Sequence, residues 1–335
     1  MKKYYLQLDI AKAVFCLFIV AIHAYLYPNI LYPWLRIAVP MFFLISSFLF
    51  WDRVLKIEDS KERLIQLKRY VLRNTFMYLF YFVIILPQTL VKIDTSWFAG
   101  GFFPGLGKIF VYIFTLSGFQ SFWFILSLIV VMPIVYFLSR KNNIAIIIIG
   151  VLLFLLSALF SAYKFIFPQE ARDTISTLIN FDSIDFAYTP VQAFIWIVLG
   201  KLLAQYKFNV KTWVLAVFSV ISIGLFVMEY LLIKSVTGVY SYPVYLGLVP
   251  MCISFMMLLL KINYDKEPPK FMTYLRKTTV VIYALHNAFI IMFIDAGVHN
   301  SWVLFFASIG LCIVASVVLQ LLQKIKFLNW LKIAT

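Results

Sequence analysis

The sequence predicts an all-α integral membrane protein, a bundle of about ten transmembrane helices with both termini cytoplasmic. Three observations predict it. First, 64% of residues are hydrophobic and only 13% are charged, with 35 Phe and a mean hydropathy of +0.95. A soluble chain is about one-quarter charged. Second, the chain holds ten apolar runs near the roughly 20 residues that cross a bilayer as helix. Third, with the N-terminus inside, 22 of the 29 Lys and Arg fall in cytoplasmic segments and 5 in outer ones. That asymmetry is the positive-inside pattern. It also assigns the net charge of +15 to loops facing anionic lipid, not to nucleic-acid binding.

The ten runs are 8–27, 34–51, 72–91, 121–139, 143–163, 187–205, 211–233, 242–260, 274–296 and 301–322. Each is bounded by charge or turn residues. Lys2 and Lys3 precede the first span, and Pro28 and Asn29 follow it. Trp34 and Arg36 open the second, and Asp52 and Arg53 close it. The basic stretch KERLIQLKRYVLRN leads into the third. RKNN separates the fourth from the fifth, which is rich in Ile and Leu. Lys207 and Lys211 divide the sixth from the seventh, and KEPPK precedes the ninth. Segment 108–116 (KIFVYIFTL) is too short to span and reads as interfacial or re-entrant. The longest connections are 52–71, 92–120 and 164–186, so residues 1–335 are expected to form a single transmembrane domain. No small-residue cleavage site follows the first span, which is expected to be retained. Cys16, Cys252 and Cys312 lie inside apolar runs without pairing or metal-ligand spacing and read as small core residues.

Charged and imidazole groups inside spans cost several kcal/mol, about 2.5–3.5 for Lys or Asp at a helix centre. They therefore mark sites. Asp9, Lys12 and His23 share the first span. Asp9 and Lys12 lie near one membrane face, with His23 about 21 Å further along the helix, a layout that suggests a polar tunnel. An imidazole there can act as general base or nucleophile. His286 sits at comparable depth in the ninth span, about 18 Å from residue 274, and could line the same cavity. His299 falls in a short outer loop. Arg69 and Arg73 are four apart on one helix face; with Lys68 and Lys12 they could receive phosphate oxygens, which guanidinium forks bind bidentately. Asp182, Asp185, Glu229 and Asp295 lie at outer span ends, and one of them could orient His23; Glu229 has the most apolar surroundings. Arg36 could meet an anionic substrate or pair with an acid. Outer aromatics such as Tyr32, Trp34 and Trp302 fit an interfacial belt, though some could stack on a sugar.

These residues carry a resemblance. Lys12, ten intervening positions and His23, preceded by Asp9, resemble the first-helix motif of the acyltransferase-3 family of bacterial membrane acyltransferases. VPMFFLISSFLF (39–50) is similar to that family's second-helix opening. Arg69 and Arg73 resemble its basic pair, SFWFILSL (121–128) its WFL segment, FIWIVLG (194–200) its FxxG segment, and VVIYALHN (280–287) its late IYxxH segment. Ser47 stands where the family has Gly, Ser121 where it often has His, and Lys12 where Arg is commoner.

The resemblance implies transfer of an acyl group, usually acetyl from acetyl-CoA, to a hydroxyl of a sugar or polysaccharide at the bacterial inner membrane. It implies no metal. It gives His23 the catalytic role, with His286 in support; Glu229 is expected, from its own setting, to be the acid that orients His23. Lys12, Arg69 and Arg73 would serve the donor's phosphates or the tunnel entrance; the residues themselves add Lys68 to the donor set and Arg36, Trp123 and Asp9 to the acceptor side. The expected partners are acyl-CoA, a glycan acceptor, the bilayer and glycan-synthesis machinery, with no SGNH-type domain after the tenth helix. The alternative is a transporter whose pathway uses the same buried Asp, Lys and His; no inverted repeat is visible in the sequence.

Overall fold

The structure, a computed structural model, describes residues 4–26, 32–91, 98, 100–107, 122–171, 186–206, 208, 210–262 and 268–334. Every regular element among them is helical. Ten principal helices run in order: α1 Leu6–His23, α2 Ala38–Val54, α3 Ser60–Val91, α4 Trp123–Ser139, α5 Asn143–Leu159, α6 Pro190–Gln205, α7 Thr212–Thr237, α8 Leu248–Lys261, α9 Lys270–Asp295 and α10 Ser301–Leu322. A helical turn, Tyr32–Leu35, precedes α2, and a 3-10 segment, Lys326–Ala334, follows α10. Six helical stretches among the described residues are long and apolar enough to cross a membrane, and α4, α5, α6 and α8 are shorter apolar helices of 17, 17, 16 and 14 residues. Segment 108–116 and residues Ser121, Asp182 and Asp185 lie outside the described residues.

Helix ends differ from the apolar runs where local chemistry decides them. The basic stretch before 72 is already helix: α3 starts at Ser60 because Asp59 accepts from the Lys61 N–H at 2.9 Å, an N-cap. Glu62 then bonds Gln66 one turn on, at 2.7 Å. The 32 residues of α3 extend for about 48 Å, well beyond a hydrocarbon core. Asn142 and Asn300 cap α5 and α10 through backbone amides. Helix α1 stops at His23, not 27. Tyr25 takes φ 54°, and the Leu26 N–H closes back to the Ala21 carbonyl at 2.9 Å while the Tyr25 N–H reaches Ile22 O. That is a Schellman closure with tyrosine where glycine is usual.

The chain forms two compact units. The first holds Met1–Glu58, Leu199–Ser241 and Tyr245–Thr335, and the second holds Asp59–Val198 and Tyr242–Val244. In the first, α1 packs against α9 and α2, α9 against α10, α7 against α8, and α8 against α2. Its core includes Leu8, Val20, Met41, Phe43, Leu44 and Ile45, all fully buried. Gly200, near the end of α6, lies against α2 so closely that a Cβ there would come within 2.5 Å of Ser47 Cβ and 2.8 Å of the Leu44 carbonyl. Two of the segments named above, FIWIVLG and the one containing Ser47, therefore meet small residue on small residue, the usual means of close helix approach in membranes. In the second unit α3 packs on α4 and α4 on α5, and Phe154 meets Trp196 edge to face at 5.5 Å. Cys16, Cys252 and Cys312 are buried and unbridged.

Candidate active site

Helices α1 and α9 set the geometry. Cys16 Sγ contacts the Thr279 carbonyl at 3.5 Å. Seven residues on in both helices, the His23 and His286 rings lie 5.1 Å apart, centroid to centroid, tilted by 54°. Equal spacing at both contact points means that the helices run parallel with a seven-residue seam, the repeat at which packed helices return the same face to each other. Lys12 lies eleven residues before His23, almost exactly three turns, so it shares the His23 face about 16 Å away along the axis.

His286 is fully buried. Its Nδ1 sits 2.9 Å from the carbonyls of both Ile282 and Tyr283. Carbonyls only accept, so Nδ1 carries the hydrogen and Nε2 keeps its lone pair. That Nε2 is buried and has no hydrogen-bond partner, a costly state for a polar atom. His23, half-buried at the end of α1, is the neighbouring imidazole. The pair thus combines one ring of fixed tautomer with a second that is less enclosed, an arrangement able to take up and return a proton.

Arg36 lies within electrostatic reach of His23. Its Nε donates to Ser241 Oγ at 3.1 Å and its Nη2 to the Tyr32 hydroxyl at 2.8 Å, with the guanidinium 4.8 Å from the Tyr32 ring centre. At the other end of the seam, the Tyr4 hydroxyl donates to Asp9 Oδ2 at 2.6 Å, and Arg276 of α9 lies 5.8 Å from the Tyr4 ring. Burial, and then the Asp9 carboxylate, push the Tyr4 phenol up to about 12.

Other expected residues are placed differently. Both oxygens of Glu229 accept backbone N–H groups, those of Leu246 and Gly247, at 2.6 Å each. The carboxylate thus anchors the start of α8, where negative charge suits a helix N-terminus. A Cβ on Gly247 would lie 2.8 Å from Glu229 Oε2 and from Phe226 Cα, so only glycine admits this clasp. Asp295 is exposed at the end of α9, as is His299 beyond it. In the second unit Lys68, Arg69 and Arg73 are exposed on α3. Arg69 approaches Glu62 at 3.9 Å and Arg73 the Tyr70 ring at 6.0 Å. Trp123 is buried edge-on to Tyr188 at 5.8 Å.

Lys201 went unremarked in the sequence, counted among cytoplasmic charges. It is 4% exposed, donates to Gln205 Oε1 at 2.8 Å and lies 5.4 Å from the Trp51 ring centre. Its signal was its place directly after the Gly200 contact in an apolar helix. Among the described residues, no cluster of three His, Cys, Asp or Glu side chains could hold a metal ion.

A family model, Acyl_transf_3, described as an acyltransferase domain, matches residues 5–321. The chain belongs to the acyltransferase-3 family. No curated protein and no solved structure matches it. Membership and the apolar helices together make the chain a multi-pass membrane acyltransferase. The matched region contains both histidines and the whole α1–α9 seam.

Proposed function

We propose that this acyltransferase moves an acetyl or other short acyl group from cytoplasmic acyl-CoA to a hydroxyl of a cell-surface sugar or polysaccharide. The observation that carries the reading is the ring pair of His23 and His286 at the end of a parallel seam between two membrane-spanning helices. Buried ionisable groups in spans mark function, and family membership supplies the reaction class.

In the proposed reaction His23 takes the proton of the acceptor hydroxyl while its oxygen attacks the thioester carbonyl. Collapse of the tetrahedral adduct breaks the C–S bond, and the CoA thiolate leaves, recovering the proton from the imidazolium. The same ring could instead carry the acyl group transiently. His286, through Nε2, steadies the charged form of its neighbour. Lys12, Lys68, Arg69 and Arg73 are the proposed donor contacts, and Arg36, Asp9 and Trp123 the acceptor-side ones. Ten crossings with both termini cytoplasmic, in a bacterial inner membrane beside glycan-synthesis enzymes, complete the reading. The parallel run of α1 and α9 supports that alternation, since the first and ninth crossings point the same way.

The test is release of CoA thiol and formation of acetylated sugar by purified wild type and His23→Ala in detergent. Transfer by the wild type alone, with acetyl-CoA bound by both, supports the reading. Full transfer by His23→Ala, or no acetyl-CoA binding by either, sinks it.

A further inference from the structure

In the first unit the start of α9 lies against the end of α10. The Thr278 and Ser316 hydroxyls meet at 3.0 Å, and Lys277 Nζ donates to Gln323 Oε1 at 3.0 Å. Gln323 is 5% exposed, and its amide nitrogen donates in turn to the Leu331 carbonyl at 3.2 Å. One buried amide thus ties α9, through Lys277, to the 3-10 segment Lys326–Ala334 that follows α10.

A 3-10 helix has three residues per turn, so its side chains fall into three rows along its length. The sequence KFLNWLKIA fills those rows differently. Leu328, Leu331 and Ala334 make one row, in which Leu331 and Ala334 are buried and Leu328 half-buried. Phe327, Trp330 and Ile333 make the second, with the two rings 77% and 56% exposed. Lys326, Asn329 and Lys332 make the third, and all are exposed. The segment therefore seats one row on the protein and presents an aromatic row and a cationic row outward. Rings beside lysines at the end of a membrane-spanning helix suit the bilayer interface, where the rings lie at headgroup level and the ammonium groups reach phosphates.

The Gln323 clasp also gathers charge. Lys332 comes within electrostatic reach of Lys277, as does Arg276, the neighbour of Lys277 on α9. Arg276 also meets the Tyr4 ring, whose hydroxyl bonds Asp9. Among the described residues, no carboxylate forms an ion pair with Arg276, Lys277 or Lys332. An anion among these three cations relieves their mutual repulsion, and a phosphodiester offers oxygens to guanidinium and ammonium donors together. Basic pockets between membrane helices take anionic lipid headgroups in this way.

We propose that Arg276, Lys277 and Lys332 hold the phosphate of an anionic phospholipid, with Phe327 and Trp330 lying among the headgroups beside it. The site stands apart from the acyl-transfer reading and needs none of its residues.

The test uses the full chain in nanodiscs of phosphatidylcholine containing a minor share of phosphatidylglycerol, with bound lipid counted by native mass spectrometry. One phosphatidylglycerol per chain should be retained in preference to phosphatidylcholine. Lys277→Gln and Lys332→Gln should each lower that preference about fivefold, the effect of the ~1 kcal/mol that one cation contributes beside an anionic surface. Lys332→Arg should keep it. Gln323→Leu should lower it without removing a charge, because the clasp is lost. Lys141→Gln and Lys211→Gln remove exposed cations at other helix ends and should leave it unchanged. Equal losses from these two overturn the site and mark diffuse attraction to the bilayer. Absence of any preference for phosphatidylglycerol overturns it too. Displacement of the bound lipid by free coenzyme A would assign the cluster to a donor phosphate and remove the lipid. A nanodisc presents the same lipids in both leaflets, so each outcome holds whichever membrane face is cytoplasmic.

Discussion

The α1–α9 seam and the basic face of α3 hold the same kinds of residue, titratable side chains repeated along a helix, and the structure treats them oppositely. In the seam, groups seven residues apart face a neighbouring helix and meet across it. On α3, Lys68, Arg69 and Arg73 stand exposed, and the Arg69–Glu62 approach is a surface pair at 3.9 Å, worth about 1 kcal/mol at most. The difference teaches which signal to weigh. A charge beside a membrane is cheap and often only orients the chain. An imidazole within a span is costly, and here two lie side by side.

The sharpest way to break this contrast is at the seam. His23→Ala should cut acyl transfer by about 10²–10⁴-fold, the range for a lost general base, with normal membrane insertion. His286→Phe keeps a ring but removes both nitrogens; a smaller loss of turnover is expected, with protein yield unchanged. Equal activity in all three proteins would make the ring pair structural. On α3, Arg69→Ala and Arg73→Ala should each raise the acyl-CoA KM about tenfold if they receive phosphate, and should leave thermal stability within about 0.5 kcal/mol of wild type. An unmoved KM would leave these charges purely orienting.

Two further changes probe packing instead of chemistry. Gly200→Ala forces a methyl against Ser47 and the Leu44 carbonyl, at a cost of about 1–3 kcal/mol readable as a lowered melting midpoint. Ser47→Gly in the same chain should recover part of it. Tyr25→Gly should have the smallest effect. It relieves about 1–2 kcal/mol of left-handed strain but loosens the unfolded chain, for a net gain of about 1 kcal/mol in thermal unfolding.

Sequence made depth legible but not direction around the helix. The 3.6-residue period places His23 and His286 at similar heights, yet only packing shows which faces oppose, and so their encounter came from the structure. Glu229 stands in an apolar run, but both its carboxylate oxygens accept main-chain amides, which no residue letter reveals. Lys201 was hidden because counting charges by side absorbs each one without asking where it points. Helix α3 exceeded its apolar run because capping and i,i+4 bonds, not hydropathy, begin it at Ser60.

The shared interval of seven has a consequence for how this chain can vary. Between Cys16 and His23, and between Thr279 and His286, buried residues such as Val20, Val281 and Ala284 constrain composition, and the seam constrains length as well. One residue gained or lost in either stretch turns the histidine beyond it by about 100° and swings it off the seam. A matching insertion in the other helix would restore height without restoring direction. Deletion scanning should therefore find these two eight-residue stretches rigid in count, like two combs that mesh only tooth for tooth.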